Sequence, residues 1–554
     1  MSFFLSPRQV VVAGAGPVGM TLAIELGRRG IDVLIVDPSP ATTTNPRCNT
    51  TNARSMEYFR RIGIADAIRR AGLPLDHQTD VIYVTNLTGH ELLRFPFSSA
   101  QEILDGTAFE FQEWPTPEPQ HRVSQIFLEP IIEERLRDFP TVELRRGWEA
   151  TGLTQAADSA SVTLRNVDTG EEEVVRALFV LGCDGGSSVV RKSIGARLEG
   201  DSTAAEERLS VYFRSPELRS ILGPDAGWMY WWYGSVHRGS FLQLDGRDLF
   251  LLHGRVPEGM DPDDLDPDEV MLAAIGRTVE HEKIQVIRWT PRRLVSNKFV
   301  EGRVALAGDA AHLWLPLGGF GMNTGIADAV GLGWRIAALV TGVGDPQLLQ
   351  DYEIERRSVG EATSHAALRI DRDMKQIGRD PMLHEASPAG EALRAEAGDA
   401  IATIDRKQWY SQGVQFGSRY STSPGIVGSE PPSDSAIATI DEYVPSTVAG
   451  GRLPHVWLPD HVSLFDRLGM EWSLLTIGAS TADVAEIAEA AKSNHMELTV
   501  VPVLTADAGV LDRKLILVRP DMFIAWSGDA GPRDPAELVQ GLLGQRTPGH
   551  AAGR

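Results

Sequence analysis

A glycine-spaced turn between a strand and a helix constrains this chain more than any other feature. Gln9-Val10-Val11-Val12-Ala13 reads as a strand, Gly14-Ala15-Gly16-Pro17-Val18-Gly19 as a tight turn, Met20 to Arg29 as a helix and Ile31 to Asp37 as a second strand. In a GxGxxG spacing the glycines close the turn, let the backbone approach a ligand and let the helix pack on the strand. The helix start adds unpaired N–H donors and a positive dipole end, which favour a pyrophosphate. Asp37, 18 residues after Gly19, is spaced to accept from a ribose hydroxyl. This βαβ frame predicts a dinucleotide site without separating NAD from FAD. The apolar run Val10 to Ile24 is too short for a bilayer, is broken by glycines and Pro17, and is followed by Glu25, Arg28 and Arg29. It is therefore neither a span nor a signal peptide.

The chain has 554 residues and a formal charge of −22. That balance repels a phosphate backbone or an anionic bilayer, so nucleic-acid and membrane partners are not expected. Two cysteines, Cys48 and Cys183, cannot build a disulfide framework or a Cys-rich metal site. Their scarcity suits a reducing, cytoplasmic setting.

Beyond the βαβ unit, Asn52 to Arg70 reads as an amphipathic helix pair and Arg122 to Arg137 as a helix. Strands follow at Val142 to Arg146, Ser161 to Asn166 and Val174 to Cys183. From Leu209 to Val256 short strands dominate, and Asp245-Gly246-Arg247 marks a hairpin between Phe241–Leu244 and Leu249–His253, predicting an inserted antiparallel sheet. The acidic run Asp261 to Glu269 is broken by Pro262 and Pro267, which argues for a solvated loop capping the next helix rather than a metal site. Long helices are predicted over Asn323 to Thr341 and Asp345 to Asp373. The Ser/Gly/Pro-rich stretch from Gly413 to Gly451, including Glu430-Pro431-Pro432-Ser433, marks an interdomain connection. The remainder is long enough for one small α/β domain.

Two later strand-to-turn segments each carry an aspartate: Gly182-Cys183-Asp184-Gly185-Gly186, and Gly308-Asp309-Ala310-Ala311-His312. The second continues through Leu313 to Gly325 as a glycine-rich turn opening another helix, a second helix start aimed at something electron-rich. These three segments, in this order, resemble the single-component FAD-dependent aromatic hydroxylases (class A flavoprotein monooxygenases), with a match from about Val10 to Glu355 that ends in Asp351 to Arg357. Asn45 to Glu57 is similar to the phenol and chlorophenol hydroxylase branch.

The resemblance implies an FAD-dependent enzyme that uses NADPH or NADH and O2 to hydroxylate a phenolic or other electron-rich ring through a C4a-hydroperoxyflavin. No second nucleotide unit is visible, so the nicotinamide would bind transiently at the domain junction. Carried over, Gly14, Gly16, Pro17 and Gly19 would hold the FAD pyrophosphate and Asp37 the adenosine ribose. Arg47 and Gln125 would meet the flavin side, and Asp309 the ribityl or pyrophosphate region. Gly319, Met322 and Asn323 would present backbone to the isoalloxazine, and Asp184 would bridge FAD and NADPH handling. The Pro316 carbonyl would lie over the reaction centre. His312 reads as a structural residue.

The substrate is expected to be a small aromatic held by the inserted sheet. There Trp228-Met229-Tyr230-Trp231-Trp232-Tyr233 alternates faces with period two, with Trp228, Tyr230 and Trp232 on one face and Met229, Trp231 and Tyr233 on the other. Tyr230, Trp231 and Trp232 are the candidate wall residues, and which face meets substrate is left open. Where the phenol branch carries an acid or histidine, this chain has Asn49, whose amide cannot take a proton. The candidates for a base become Tyr233 and His253, beside Tyr230 and His237. From Arg452 the chain resembles the thioredoxin-like extension of this branch, with strands at Val500 to Leu504, Lys514 to Pro520 and Phe523 to Trp526. Lacking cysteine there, it would be a structural or oligomer-contact module in a homo-oligomer.

The expected fold class is α/β. A Rossmann-like FAD-binding domain (residues 1–80, 120–190 and 300–372) carries an inserted antiparallel-sheet substrate domain (81–119 and 191–299). A helical segment and linker (373–450) lead to a thioredoxin-like α/β domain (451–554). The rival readings are Baeyer–Villiger oxygenation or epoxidation of a polycyclic natural product on the same scaffold, or a non-oxygenating flavoprotein reductase. An NAD dehydrogenase leaves the Asp184 and Asp309 segments unexplained.

Overall fold

The βαβ unit forms as the sequence dictates. In the computed structural model, which describes residues 3–4, 7–202, 206–234, 237–257, 259–377, 380–428 and 435–546, strands Arg8–Ala13 and Val33–Asp37 pair in parallel with Val10 opposite Val33. Helix Pro17–Gly27 connects them. It is apolar almost all round because it is covered on both sides, by the sheet and by helix Phe320–Thr341. Strand Val142–Arg146 continues the sheet beyond Val33–Asp37. On the other side Glu172–Gly182 and then Val304–Leu306 join, all parallel. Strands Trp148–Gln155 and Ala160–Asn166 form an antiparallel excursion on Glu172–Gly182. In open parallel sheets ligands bind beyond the carboxyl ends of the strands. Here those ends are Ala13, Asp37, Gly182 and Leu306, which run directly into the three glycine and aspartate motifs.

The inserted sheet has seven strands, in the order Glu282–Trp289, Arg208–Arg214, Leu249–Arg255, Arg238–Gln243, Met229–Tyr233, Val81–Val84, Glu91–Phe95. All neighbours are antiparallel except Met229–Tyr233 on Val81–Val84, with Met229 opposite Val81. Its central strands are buried on both faces, while the edge strand Glu282–Trp289 is largely exposed. One face packs with Leu218, Val270 and Ala274 of its own covering helices. The other packs with Leu315, Leu317, Phe320, Trp409 and Phe416, toward the parallel sheet. The Asp245–Arg247 hairpin turn forms, and Asp245 Oδ1 accepts from the backbone N–H of Arg247, Asp248 and Leu249. In the acidic run Asp261 caps the short turn Pro262–Asp264 and Asp266 caps helix Pro267–Ile275.

The long helices are Phe320–Thr341 and Gln347–Met374. The Glu430–Ser433 part of the connection lies outside the described residues. The C-terminal sheet has the order Leu498–Pro502, Trp472–Thr476, Leu515–Val518, Ile524–Gly528. Its first pair is parallel and the others antiparallel, and helices Thr481–Ser493 and Pro535–Leu542 accompany it. Its inner strand Trp472–Thr476 is the one the sequence reading did not supply. Among the described residues no helix is long and apolar enough to cross a membrane.

Candidate functional site

The glycine turn is shaped by two different demands. A Cβ at Gly14 would overlap the carbonyl oxygen of Cys183, and one at Gly19 would overlap the carbonyl oxygen of Gly14. Packing alone requires these two glycines. A Cβ at Gly16 would meet nothing within 4 Å, so no protein atom requires that backbone to stay bare. Helix Pro17–Gly27 starts at Gly16 with Pro17 in its first turn and no side-chain cap, which leaves N–H donors free at the bare glycine. Asp37 braces the turn: Oδ2 accepts from the Ala15 N–H at 2.8 Å and Oδ1 from the Ser39 N–H at 2.9 Å.

The three motifs interlock. The Val18 side chain would lie 3.0 Å from a Cβ on Gly308 and 2.6 Å from one on Gly325. Arg191 donates to the Ala310 carbonyl at 2.9 Å and to the Gly186 carbonyl at 2.7 Å, tying the Asp184 loop to the Asp309 loop. Asp184 is fully engaged as a cap of helix Val189–Ser193. It accepts from the N–H groups of Val189 (2.7 Å) and Val190 (3.2 Å) and from the Ser188 hydroxyl (2.5 Å). Asp309 differs, being solvent-exposed although protein surrounds it. That surrounding raises its carboxyl, against the pull of His312 and Arg47. Beneath the loop, buried Asp328 accepts from the Gly308 N–H (3.0 Å) and Arg356 (2.7 Å) and pairs with His312 Nε2 (2.7 Å). His312 stacks on Trp314 with ring centroids 4.4 Å apart. This fixes His312 as a structural partner.

Gly318 and Gly319 are consecutive left-handed residues, with φ of +70° and +66°, a conformation that disfavours side chains. They turn the chain into helix Phe320–Thr341, whose N-terminus has no side-chain cap. Asn323 staples this turn to the segment before helix Ala53–Arg61. Its Nδ2 donates to the carbonyls of Gly319 (2.6 Å) and Thr50 (2.9 Å), and its Oδ1 accepts from the Asn52 N–H (2.9 Å). A Cβ on Gly319 would lie 2.9 Å from Thr50 Cβ. Met322 is half-buried behind the turn, and Pro316 is exposed at its start. Gln125 opens helix Gln125–Leu136, donating its N–H to the Cys48 carbonyl (2.7 Å) and its side chain to Glu129 (2.7 Å). Arg47 is exposed and is felt electrostatically by Asp309.

The pleat divides the aromatic wall expected from the sequence. Trp231 and Tyr233 face the cluster that includes Leu315, Leu317 and Phe320, while Tyr230 and Trp232 face the opposite layer with Val270 and Ala274. Tyr230 and Trp232 therefore stand on the wrong side of the sheet to line a site at the glycine turn. Trp228, which precedes the strand, joins the Trp231 side and breaks the strict alternation. Tyr230 accepts from the Gly227 N–H at 3.0 Å, and burial pushes its hydroxyl up to about 12.

Burial works against each expected base, opposing ionisation of Tyr230 and Tyr233 and protonation of His253 and His237. Burial drives the Tyr233 hydroxyl well up. The Trp289 indole can only donate, and it donates to Ser210 Oγ at 2.7 Å. The same Ser210 oxygen lies 2.7 Å from His253 Nδ1, so the two side chains share a hydrogen bond. Burial, reinforced by Arg208, lowers the His253 ring to about 4. Burial also lowers His237.

Sequence reasoning missed two buried polar groups on the inward face. Tyr83 accepts from the Trp409 indole at 2.8 Å, donates to Asp405 and stacks on Tyr233. Burial raises Asp405 to about 7. Arg122 lies under Trp228 and donates to Thr50 Oγ1 at 3.1 Å. Neither belongs to a spaced motif, and only the apolar surroundings, which come from distant segments, single them out.

Two uncapped helix starts, a bare glycine and a braced acid at the adjacent strand end together suit a long dinucleotide whose pyrophosphate meets one helix and whose far ring system meets the other. A family model described as an FAD binding domain matches residues 8–367, and one described as the C-terminal domain of aromatic-ring hydroxylases matches residues 446–545. The FAD-dependent monooxygenase apdD of Emericella nidulans is 30% identical over 95% of this chain and 88% of its own length. Aklavinone 12-hydroxylase RdmE of Streptomyces purpurascens is 30% identical over 96% and 98%. The solved structure of the rebeccamycin biosynthetic enzyme RebC with reduced flavin superposes with a TM-score of 0.88 at 34% identity, covering 98% of this chain and all of that one. A turn built for FAD and relatives matched over nearly their whole length carry one conclusion: this chain belongs to the FAD-dependent aromatic-ring hydroxylases, flavoprotein monooxygenases that work with NAD(P)H and O2.

Proposed function

We propose that the enzyme hydroxylates a multi-ring phenolic substrate lying between the Gly318–Gly319 turn and the inward face of the inserted sheet. The observation that carries this reading is the aromatic cluster of Trp228, Trp231, Tyr233 and Trp409, packed with Leu315, Leu317 and Phe320 on the side of that turn. The relatives named for aklavinone and rebeccamycin chemistry support a polycyclic substrate over phenol itself.

When bound and reduced by NAD(P)H, FAD supplies an electrophilic oxygen derived from O2. The chain's own residues then bind, orient and exclude water. Gly14, Gly16, Pro17 and Gly19 offer backbone to the pyrophosphate, and Asp37 offers its carboxylate to the ribose. Arg47, Gln125 and Asp309 serve the middle of the cofactor. Gly319 and Met322 present backbone to the ring system, the Gly319 N–H itself donating to the Pro316 carbonyl at 3.2 Å, Asn323 fixes their turn, and Pro316 lies at its mouth. Asp184 acts through the loop it caps. Trp231 forms the substrate wall, with Trp228 beside it. Tyr233 stiffens the wall through its stack on Tyr83. A dry apolar site favours transfer to the ring over loss of the oxidant to water.

The domain limits expected from the sequence are retained in this reading, supported by the family matches over 8–367 and 446–545. The C-terminal unit is read as thioredoxin-like, supported by its βαβ-then-ββα order. We also read the enzyme as cytoplasmic, NADPH-preferring and homo-oligomeric. The oligomer is supported by the edge strand Leu498–Pro502 with its exposed Val500.

The test is NADPH and O2 consumption by the purified flavoprotein with a panel of phenols and polycyclic phenols, with product masses. Stimulation by a polycyclic phenol and a product heavier by one oxygen is expected. Stimulation by simple phenols alone would overturn the multi-ring reading, and ring expansion would replace hydroxylation by Baeyer–Villiger oxygenation.

A further inference from the structure

Arg122 is buried, and among the described residues it forms no ion pair. Its guanidinium carbon lies 5.1 Å from the ring centroid of Phe97, 4.6 Å from that of Trp228 and 5.6 Å from that of Trp409. Nη1 donates to Thr50 Oγ1 at 3.1 Å, while Nη2 is buried without a hydrogen-bond partner. Thr50 is the residue that packs on Gly319 and whose carbonyl Asn323 holds. Arg122 therefore stands one side chain from the glycine turn, inside the aromatic cluster.

The titratable groups facing it are Glu110, Tyr410 and His121. Glu110 acts only at longer range, with one oxygen bound to the Ser98 N–H at 2.9 Å. Burial, then Arg69, holds His121 neutral, well below its ordinary value. Burial likewise lowers Arg122, but a guanidinium remains charged at neutral pH. A buried cation with an unused donor is costly unless an anion or a strong acceptor meets it.

We infer that Arg122 does the work of the missing base: its free Nη2 binds the ring oxygen of the phenolic substrate and holds it as the phenolate. The O–H bond breaks with the proton released to bulk water, Arg122 stays protonated, and the ring gains the electron density that attack on an electrophilic oxygen needs. This inference rests on the hydroxylation reading above. It explains how a site with Asn49 at the expected position, and with burial opposing ionisation of Tyr233 and protonation of His253, still activates a phenol.

The test uses the FAD-loaded enzyme with 2-naphthol, whose fluorescence reports its ionisation, and 2-methoxynaphthalene, which cannot ionise. Bound 2-naphthol is expected to ionise about 1 to 3 pH units lower than free 2-naphthol. Arg122→Gln should abolish that shift and weaken 2-naphthol binding about tenfold or more. Arg122→Lys should restore most of both. Affinity for 2-methoxynaphthalene and FAD content should be the same in all three proteins. An unchanged shift in Arg122→Gln overturns the inference, as does an equal loss of affinity for both probes, which would mean packing. Loss of FAD from Arg122→Gln overturns it too, by assigning the guanidinium to the cofactor. Wild-type enzyme that binds neither probe also overturns it, while an oxygenated product from the phenol panel would leave the hydroxylation reading standing.

Discussion

Arg519 sets Nη1 and Nη2 2.8 Å and 2.9 Å from the two carboxylate oxygens of Glu355, joining the C-terminal sheet to helix Gln347–Met374. Glu355 also accepts from Arg335 and the Ser423 hydroxyl, both at 2.6 Å, and Arg519 pairs with Asp521 as well. A second buried group joins Glu57 of helix Ala53–Arg61 to Arg54 at 2.7 Å and to Arg452. Both ionic groups bridge the FAD-binding region and the C-terminal unit.

Arg519→Met is accordingly expected to cost about 3 to 5 kcal/mol, because it leaves Asp521 and part of Glu355 charged and buried without their partner. Urea denaturation of the variant beside wild type measures this. Removing residues 446–554 deprives Glu57 of Arg452 in the same way, so the shortened chain should aggregate or bind FAD poorly.

The same network sets the acid limit. Burial opposes ionisation of Asp521, but Arg519 and Arg335 prevail and hold it at about 2 against an ordinary 3.8. Glu57 and Glu355 are lowered for the same reason. Groups depressed on folding contribute stability that is full above their ordinary values and is lost as pH falls through the folded ones. Melting temperature should therefore fall steeply below about pH 4, and Arg519→Met should flatten that fall.

Asp405 carries the opposite sign. Burial raises it from 3.8 to about 7, so the folded chain keeps a proton that the unfolded chain has lost. Its contribution is present at low pH and disappears as pH rises through about 7. Asp405→Asn keeps an acceptor for Tyr83 and cannot ionise. Relative to wild type it should gain on the order of 2 to 4 kcal/mol between about pH 4 and pH 8. Denaturation of both proteins at the two pH values checks the sign.

Gly16 and Gly19 should separate ligand binding from folding. Gly16→Ala meets no protein atom, so the apoprotein should melt as wild type does, while FAD affinity falls about 10- to 100-fold, or about 1.4 to 2.8 kcal/mol. Gly19→Ala drives a methyl into the Gly14 carbonyl and should lower the melting temperature even without FAD. Flavin titration and thermal melts distinguish the two.

The parts of this site legible in the sequence are those whose chemistry is local. Gly14 to Gly19, Asp184 and Asp309 each sit where a strand ends and a turn begins, and periodicity finds strand ends. Helix Phe320–Thr341 begins three residues before its predicted start, because the glycines that read as a loop are its cap. The direction of Tyr230 and Trp232 was not legible, since a strand buried on both faces gives no polar side to orient it. Arg122 and Asp405 were invisible for a different reason. Arg122 is defined by Thr50, Trp228 and Trp409, and Asp405 by Tyr83, partners that only the finished fold assembles.

The parallel seam between Val81–Val84 and Met229–Tyr233 imposes an order on synthesis. The ribosome must add residues 85–228 before the second strand exists, a wait of roughly 10 to 30 seconds at typical elongation rates. Throughout it, Val81–Val84, fully buried at the end, has only Glu91–Phe95 to pair with and one bare edge. Translation speed and chaperone supply, rather than final stability, should then govern how much nascent chain reaches the native state.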